Sequence, residues 1–161
     1  MADLHIDDFY RDCARVLHQL YQAFPRKVTV FVEDIIGHDE PDEFGMHSRR
    51  HHACFAAMLW LADEGHLRYE SVIRQEAIDQ AVLTGSMFAL LCGAPPAKAD
   101  AVSATDFATS VANGVANGTP GGADSRVLRI RAALQAQSSF GIERVMRELM
   151  SVAAGQAVAT R

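Results

Sequence analysis

Several absences narrow the reading before any motif is considered. No apolar run reaches the ~18 residues of a membrane-spanning helix. The start, Met1-Ala2-Asp3-Leu4-His5, has neither the basic opening nor the apolar stretch of a secretion signal. Cysteine is scarce: Cys13, Cys54 and Cys92 are widely spaced and odd in number. That is no disulfide framework, so reduced thiols and a cytoplasmic location are expected. No catalytic signature and no cofactor motif occurs, so no enzymatic activity and no cofactor are expected. Positive charge is short where the main domain is expected. Residues 1–93 hold 8 Lys/Arg against 15 Asp/Glu, net −7, while residues 94–161 hold 7 against 5, net +2. An acidic domain repels nucleic acid at long range but leaves room for a local basic contact.

What is present organises around residues 55–69. Phe55, Met58, Leu59 and Ala62 fall on one helical face. Gly65 stands where a helix ends, because glycine takes the left-handed conformation without a Cβ clash. Leu67 and Tyr69 then alternate with His66, Arg68 and Glu70, as in a half-buried strand. With 161 residues and 49% apolar content, the chain has room for one core plus an appendage.

Upstream, Phe9, Cys13, Val16, Leu17, Leu20 and Phe24 make the buried stripe of a helix over 7–24, capped by Asp7 and stopped by Pro25. Lys27–Val30 predicts a strand, and 31–36 a brief helix ended by Gly37. Residues 38–46 form an acidic loop with Asp39, Glu40, Asp42 and Glu43. Ser48 caps the helix over 48–64. Residues 67–70 and 77–83 predict two antiparallel strands about a turn at 71–75, and Thr84 caps a helix through Leu91.

The expected domain therefore spans 1–93. Residues 94–123, rich in Ala, Gly, Pro, Ser and Thr, read as a linker, with a short helix on Phe107, Val111 and Val115 as an option. Residues 124–161 predict C-terminal helices. One is capped by Asp124 and uses Val127, Ile130 and Leu134. After a break near Ser138, Ser139 and Gly141, another uses Ile142, Val145, Met146, Leu149 and Val152. Their apolar stripe must dock on the main domain or on a second chain.

The order of helix, strand, helix, helix, strand, turn, strand resembles a winged helix-turn-helix domain. Leu61-Ala62-Asp63-Glu64-Gly65-His66-Leu67 is similar to the family's junction of recognition helix, glycine and first wing strand. Residues 81–91, with Leu83-Thr84 leading into a helix, are similar to its common ending. The expected fold is mainly α with a small β-hairpin, a winged-helix-like domain plus C-terminal helices. The resemblance implies DNA binding through the 48–64 helix. The long acidic turn before that helix departs from the pattern. So does its outward face, Arg49, Ala53, Ala56, Trp60 and Asp63, which carries few groups that read base edges.

Candidate sites follow from these elements. His47-Ser48-Arg49-Arg50-His51-His52 is the one local basic cluster, either a phosphate clamp at a helix N-terminus or a solvated first turn. If nucleic acid is bound, Arg49, Arg50, His52 and Arg74 are the contacts. His47 and His51 at i, i+4, with Cys54, have metal-ligand spacing, and Asp42 or Glu43 could complete a set; ordinary surface histidines are the expected reading, with no metal. Cys54 is either an activated thiolate or a small buried residue, and the second is preferred. Trp60 with Ala56 is a candidate protein interface, or packs within the chain. Val145 and Leu149 are candidate dimer contacts. Arg126, Arg129, Arg131, Arg144 and Arg147 meet nucleic acid or pair with the acidic domain. The preferred function is a regulatory or adaptor module acting through protein contacts and self-association as a homodimer. A DNA-binding transcription regulator is the alternative, and a metal- or thiol-dependent enzyme the third.

Overall fold

The computed structural model describes residues 4–93 and 125–159. Among these the protein is mainly helical with one small antiparallel sheet. Helix α1, Leu4–Ala23, starts before Asp7, so Asp7 sits in its first turn rather than at a cap. Cys13, Val16, Leu17 and Leu20 are buried on its stripe, with Phe9 and Phe24 half-buried at the ends. Strand β1, Val28–Phe31, leads straight into the short helix α2, Val32–Ile36, which ends at Gly37 with φ 92°. Helix α3, Arg49–Asp63, begins at Ser48, whose hydroxyl accepts from the His51 N–H at 3.2 Å. Its buried side is Cys54, Phe55, Ala57, Met58 and Leu61.

Gly65, at φ 75°, turns the chain into β2, Leu67–Arg68. Alternation holds for buried Leu67 and exposed Arg68, but His66, expected outward, is buried. The segment expected as a turn is itself mostly strand: β3 covers Ser71–Ile73, and residues 74–76 reverse the chain, with Arg74 and Gln75 at φ 45° and 61°. Tight hairpin turns with positive φ normally carry Asn or Gly, so Arg-Gln gives no sequence signal. Strand β4, Ala77–Leu83, is central. It pairs antiparallel with β1 on one side and with β2 and β3 on the other. Val28 faces Ala81, Val72 faces Ile78 and Leu67 faces Leu83. Thr84 caps helix α4, Gly85–Cys92, and Phe88 stacks on Phe24 with ring centroids 4.0 Å apart.

Helix α5, Arg126–Gln135, and helix α6, Ser139–Ala159, are separated by the expected break, with Gln137 at φ 50°. Gly141 lies inside α6 and donates to the Ser138 hydroxyl. Both helices pack on α1, and Val127, Ile130, Ile142, Val145, Met146 and Leu149 join the same core as Leu17 and Met58. Val145 and Leu149 are thus corrected from dimer contacts to core residues, 7% and 0% exposed. The unshared apolar stripe that motivated a dimer is buried within its own chain. The expected linker, its optional helix and the Asp124 cap lie outside the described residues; the residue before α5 is Ser125, whose side chain makes no cap hydrogen bond. None of the described helices is long and apolar enough to cross a membrane.

Candidate functional site

The first turn of α3 separates the residues of the basic cluster. Arg49 is exposed. Arg50 turns inward and grips Asp12 of α1 with two hydrogen bonds of 2.5 and 2.6 Å, with Asp8 3.6 Å away. Asp12 is 1% exposed, so its charge requires this fork. Asp12 also holds the Arg50 guanidinium above its ordinary pKa. Arg50 is a structural cation, which corrects its assignment as a nucleic-acid contact. The anion position at the helix start is also filled from within: the Ser48 N–H donates to Asp39 Oδ2 at 3.1 Å. Hydrogen bonds from Ser48, with the imidazoles of His47 and His51 close by, hold the Asp39 carboxyl below the usual range.

The outward face of α3 matches expectation. Arg49, Ala53, Ala56 and Asp63 are exposed and Trp60 is half-buried. Trp60 meets Phe9 edge-on at 5.1 Å and His66 at 5.9 Å, so one edge is packed within the chain. His52 is exposed on the same helix, and Arg74 stands exposed at the hairpin tip. Exposed apolar groups occur elsewhere on the described surface, among them Val72 and Ile73 on the hairpin, and Phe44 and Met46, 81% and 60% exposed, on the acidic loop.

His47 and His51 come together as spacing suggested, but with different partners. Their rings lie nearly parallel, 11° apart, with centroids 3.9 Å apart. Asp39 Oδ2 is 3.4 Å from His47 Nδ1 and 3.6 Å from His51 Nδ1. Donor atoms of all three residues fall within 4.8 Å of one another. His51 Nε2 is 3.1 Å from the Gln75 carbonyl, and His47 Nε2 is 3.9 Å from Glu76. Asp42, weighed with Glu43 as a residue that could complete a metal set, instead accepts the Phe44 and Met46 N–H groups and shapes the loop; Glu43 is exposed.

Cys54 is not part of this group. It is fully buried beside Asp12 and Cys13, and burial, with Asp12, pushes its thiol up to about 12. A thiol so protonated is a poor nucleophile, which corrects the activated-thiolate alternative. A cleft of about 420 Å³ is lined by Arg11, Arg15 and Arg50. Each guanidinium already has an internal partner: Arg11 on Asp8 and Ser139, Arg15 on the Ile35 carbonyl, Arg50 on Asp12. In the tail, Arg126 and Arg129 meet Glu148 and Arg147 meets Glu143. Arg126 also donates to the Leu90 carbonyl, and Arg147 lies over the Tyr10 ring. Arg131 and Arg144 are exposed. The expected pairing with the acidic domain is therefore mostly pairing inside the tail itself.

Sequence reasoning missed Asp12, Asp39, Gln75 and Glu76. An Asp on the apolar stripe side of α1, one position before Cys13, was a usable signal for a buried ion pair. Asp39 gave none, because four carboxylates crowd that loop. No family model, no curated protein and no solved structure matches the chain.

Proposed function

We propose that the chain is a non-enzymatic winged-helix regulatory or adaptor module, cytoplasmic, that acts through protein–protein contacts. Support for the winged-helix reading is topological. The strand between the first two helices pairs with the last strand, and the hairpin follows the third helix directly. The observation that carries the protein-binding reading is the engagement of Arg50 by Asp12. It leaves Arg49 as the one outward Lys or Arg on α3. A helix with so little cationic and amide character is poorly suited to base edges. Ala53, Ala56 and Trp60 instead offer a small-residue surface with an aromatic edge, and the acidic loop separately exposes Phe44 and Met46 among carboxylates. Self-association through Val145 and Leu149 loses its basis, since both side chains are buried within the chain.

The DNA-binding reading keeps three exposed residues in its favour, Arg49, His52 and Arg74. Two measurements separate the readings. A gel-shift titration of the full chain against a genomic fragment pool at physiological salt should show no saturable, sequence-selective binding. A photo-crosslinking residue at Ala56 should trap a discrete protein adduct in cells. Tight selective retention of duplex, lost on Arg49→Ala with Arg74→Ala, would overturn the protein-binding reading; so would the absence of any adduct at Ala56.

A further inference from the structure

We propose that Asp39, His47 and His51 form a binding site for a divalent transition-metal cation of the zinc type, held by two imidazole Nδ1 atoms and one carboxylate oxygen. The donor set is right for such an ion, since imidazole and carboxylate suit zinc and its neighbours. The spacing is right as well. Tetrahedral ligands at Zn–N and Zn–O lengths of about 2.0–2.1 Å stand about 3.4 Å from one another. Asp39 Oδ2 lies 3.4 and 3.6 Å from the two Nδ1 atoms.

The second, independent observation is an unmet bonding demand. His51 is 1% exposed, and its Nδ1 is buried with no hydrogen-bond partner. His47 Nδ1 is buried and unpartnered in the same way. Buried polar atoms left unpaired are costly and uncommon in native proteins. One proton shared with Asp39 could serve one of these nitrogens and would leave the other unmet. One cation serves both. The far sides of the rings are arranged to suit. His51 Nε2–H donates to the Gln75 carbonyl at 3.1 Å, which leaves Nδ1 as the bare lone pair. The Glu76 carboxylate lies 3.9 Å from His47 Nε2. Ligating histidines characteristically place their other nitrogen on a carbonyl or a carboxylate; His51 does so here, while Glu76 stands near His47 but beyond direct hydrogen-bond reach. Because the rings stack nearly parallel, ion binding would have to turn them apart so that both lone pairs converge on the ion. With three protein ligands, a water takes the fourth position. The ion would fasten the acidic loop, the start of α3 and the hairpin turn at a single point. This inference does not depend on whether the outward face of α3 meets protein or DNA.

The test uses full-length protein stripped with a chelator. Titration with Zn²⁺ by calorimetry should give one ion per chain, and Co²⁺ should give the visible absorption of a tetrahedral site. His47→Ala, His51→Ala and Asp39→Asn should each weaken binding at least about 100-fold, since losing an outer partner alone costs about 10–100-fold. His52→Ala, at an exposed neighbouring position, should leave affinity unchanged. His51 is a core residue, so its variant is checked for folding by circular dichroism. The wild type is followed in parallel by imidazole ¹⁵N NMR. Zn²⁺ should shift the Nδ1 resonances of two histidines, assigned to 47 and 51, while their Nε2–H signals persist. Absence of saturable micromolar binding overturns the proposal. Binding that survives in folded His47→Ala protein, or shifts confined to other histidines, overturns it equally.

Discussion

Replacing Arg50 by alanine isolates the feature on which the site reading turns. Asp12 is 1% exposed, and the two hydrogen bonds from Arg50 at 2.5 and 2.6 Å are its charge partners. Removing one member of a buried pair costs about 3–5 kcal/mol, because the other charge stays buried without compensation. The Arg50 side chain is 32% exposed, so water can reach the vacated position and the lower end applies, about 3 kcal/mol. For a chain of this size that corresponds to a fall in Tm of about 6–12 °C, at about 2–4 °C per kcal/mol. Arg49→Ala, one residue away and exposed, should stay within about 0.5 kcal/mol of the parent. Removing the charge at both positions, Asp12→Asn with Arg50→Ala, should recover part of the loss, with a coupling of about 0.5–3 kcal/mol. Urea unfolding followed by circular dichroism measures these proteins together with the Asp12→Asn single variant, which the coupling requires. If Arg50→Ala unfolds at the same urea concentration as Arg49→Ala, the pair is not structural, and Arg50 returns to the list of residues free to meet DNA.

Leu149 is fully buried where α6 packs in the core. Leu149→Ala should destabilise by about 2–5 kcal/mol without changing the sedimentation coefficient of the folded protein; a shift from dimer to monomer would restore the dimer reading. Gly65, at φ 75° with open space where a Cβ would stand, should lose about 1–2 kcal/mol on Gly65→Ala from backbone strain alone, and an unchanged urea midpoint would count against the left-handed helix stop. Burial lowers the pKa of His66 in the folded state. The unfolded chain then binds the proton more readily, so this contribution is present above the unfolded value and is lost as pH falls below it towards the folded one. Stability should decline as pH drops below about 6.5, with a shallower decline in His66→Phe; identical slopes in urea midpoint against pH would refute the assignment.

Local chemistry made much of the fold legible in the sequence. Ser48 and Thr84 are caps because short hydroxyl side chains satisfy orphan N–H groups wherever a helix starts. The α1 stripe and the α6 stripe read correctly because helical period is a property of the segment itself. Gly65 read correctly because φ alone decides it. The outward face of α3 followed from the same periodicity. What tertiary structure alone decided is which distant groups meet. Val28 faces Ala81, Arg50 meets Asp12 across 38 positions, and Asp39 rather than Asp42 or Cys54 joins His47 and His51. A stripe states that a face must be covered but not by what, so Val145 and Leu149 were equally consistent with a second chain, and the tertiary structure places both in the chain's own core. Charge behaves in the same way. An arginine in a sequence is simply a cation, and whether it is spent on a buried carboxylate or left for a partner depends on a through-space distance that no local pattern encodes.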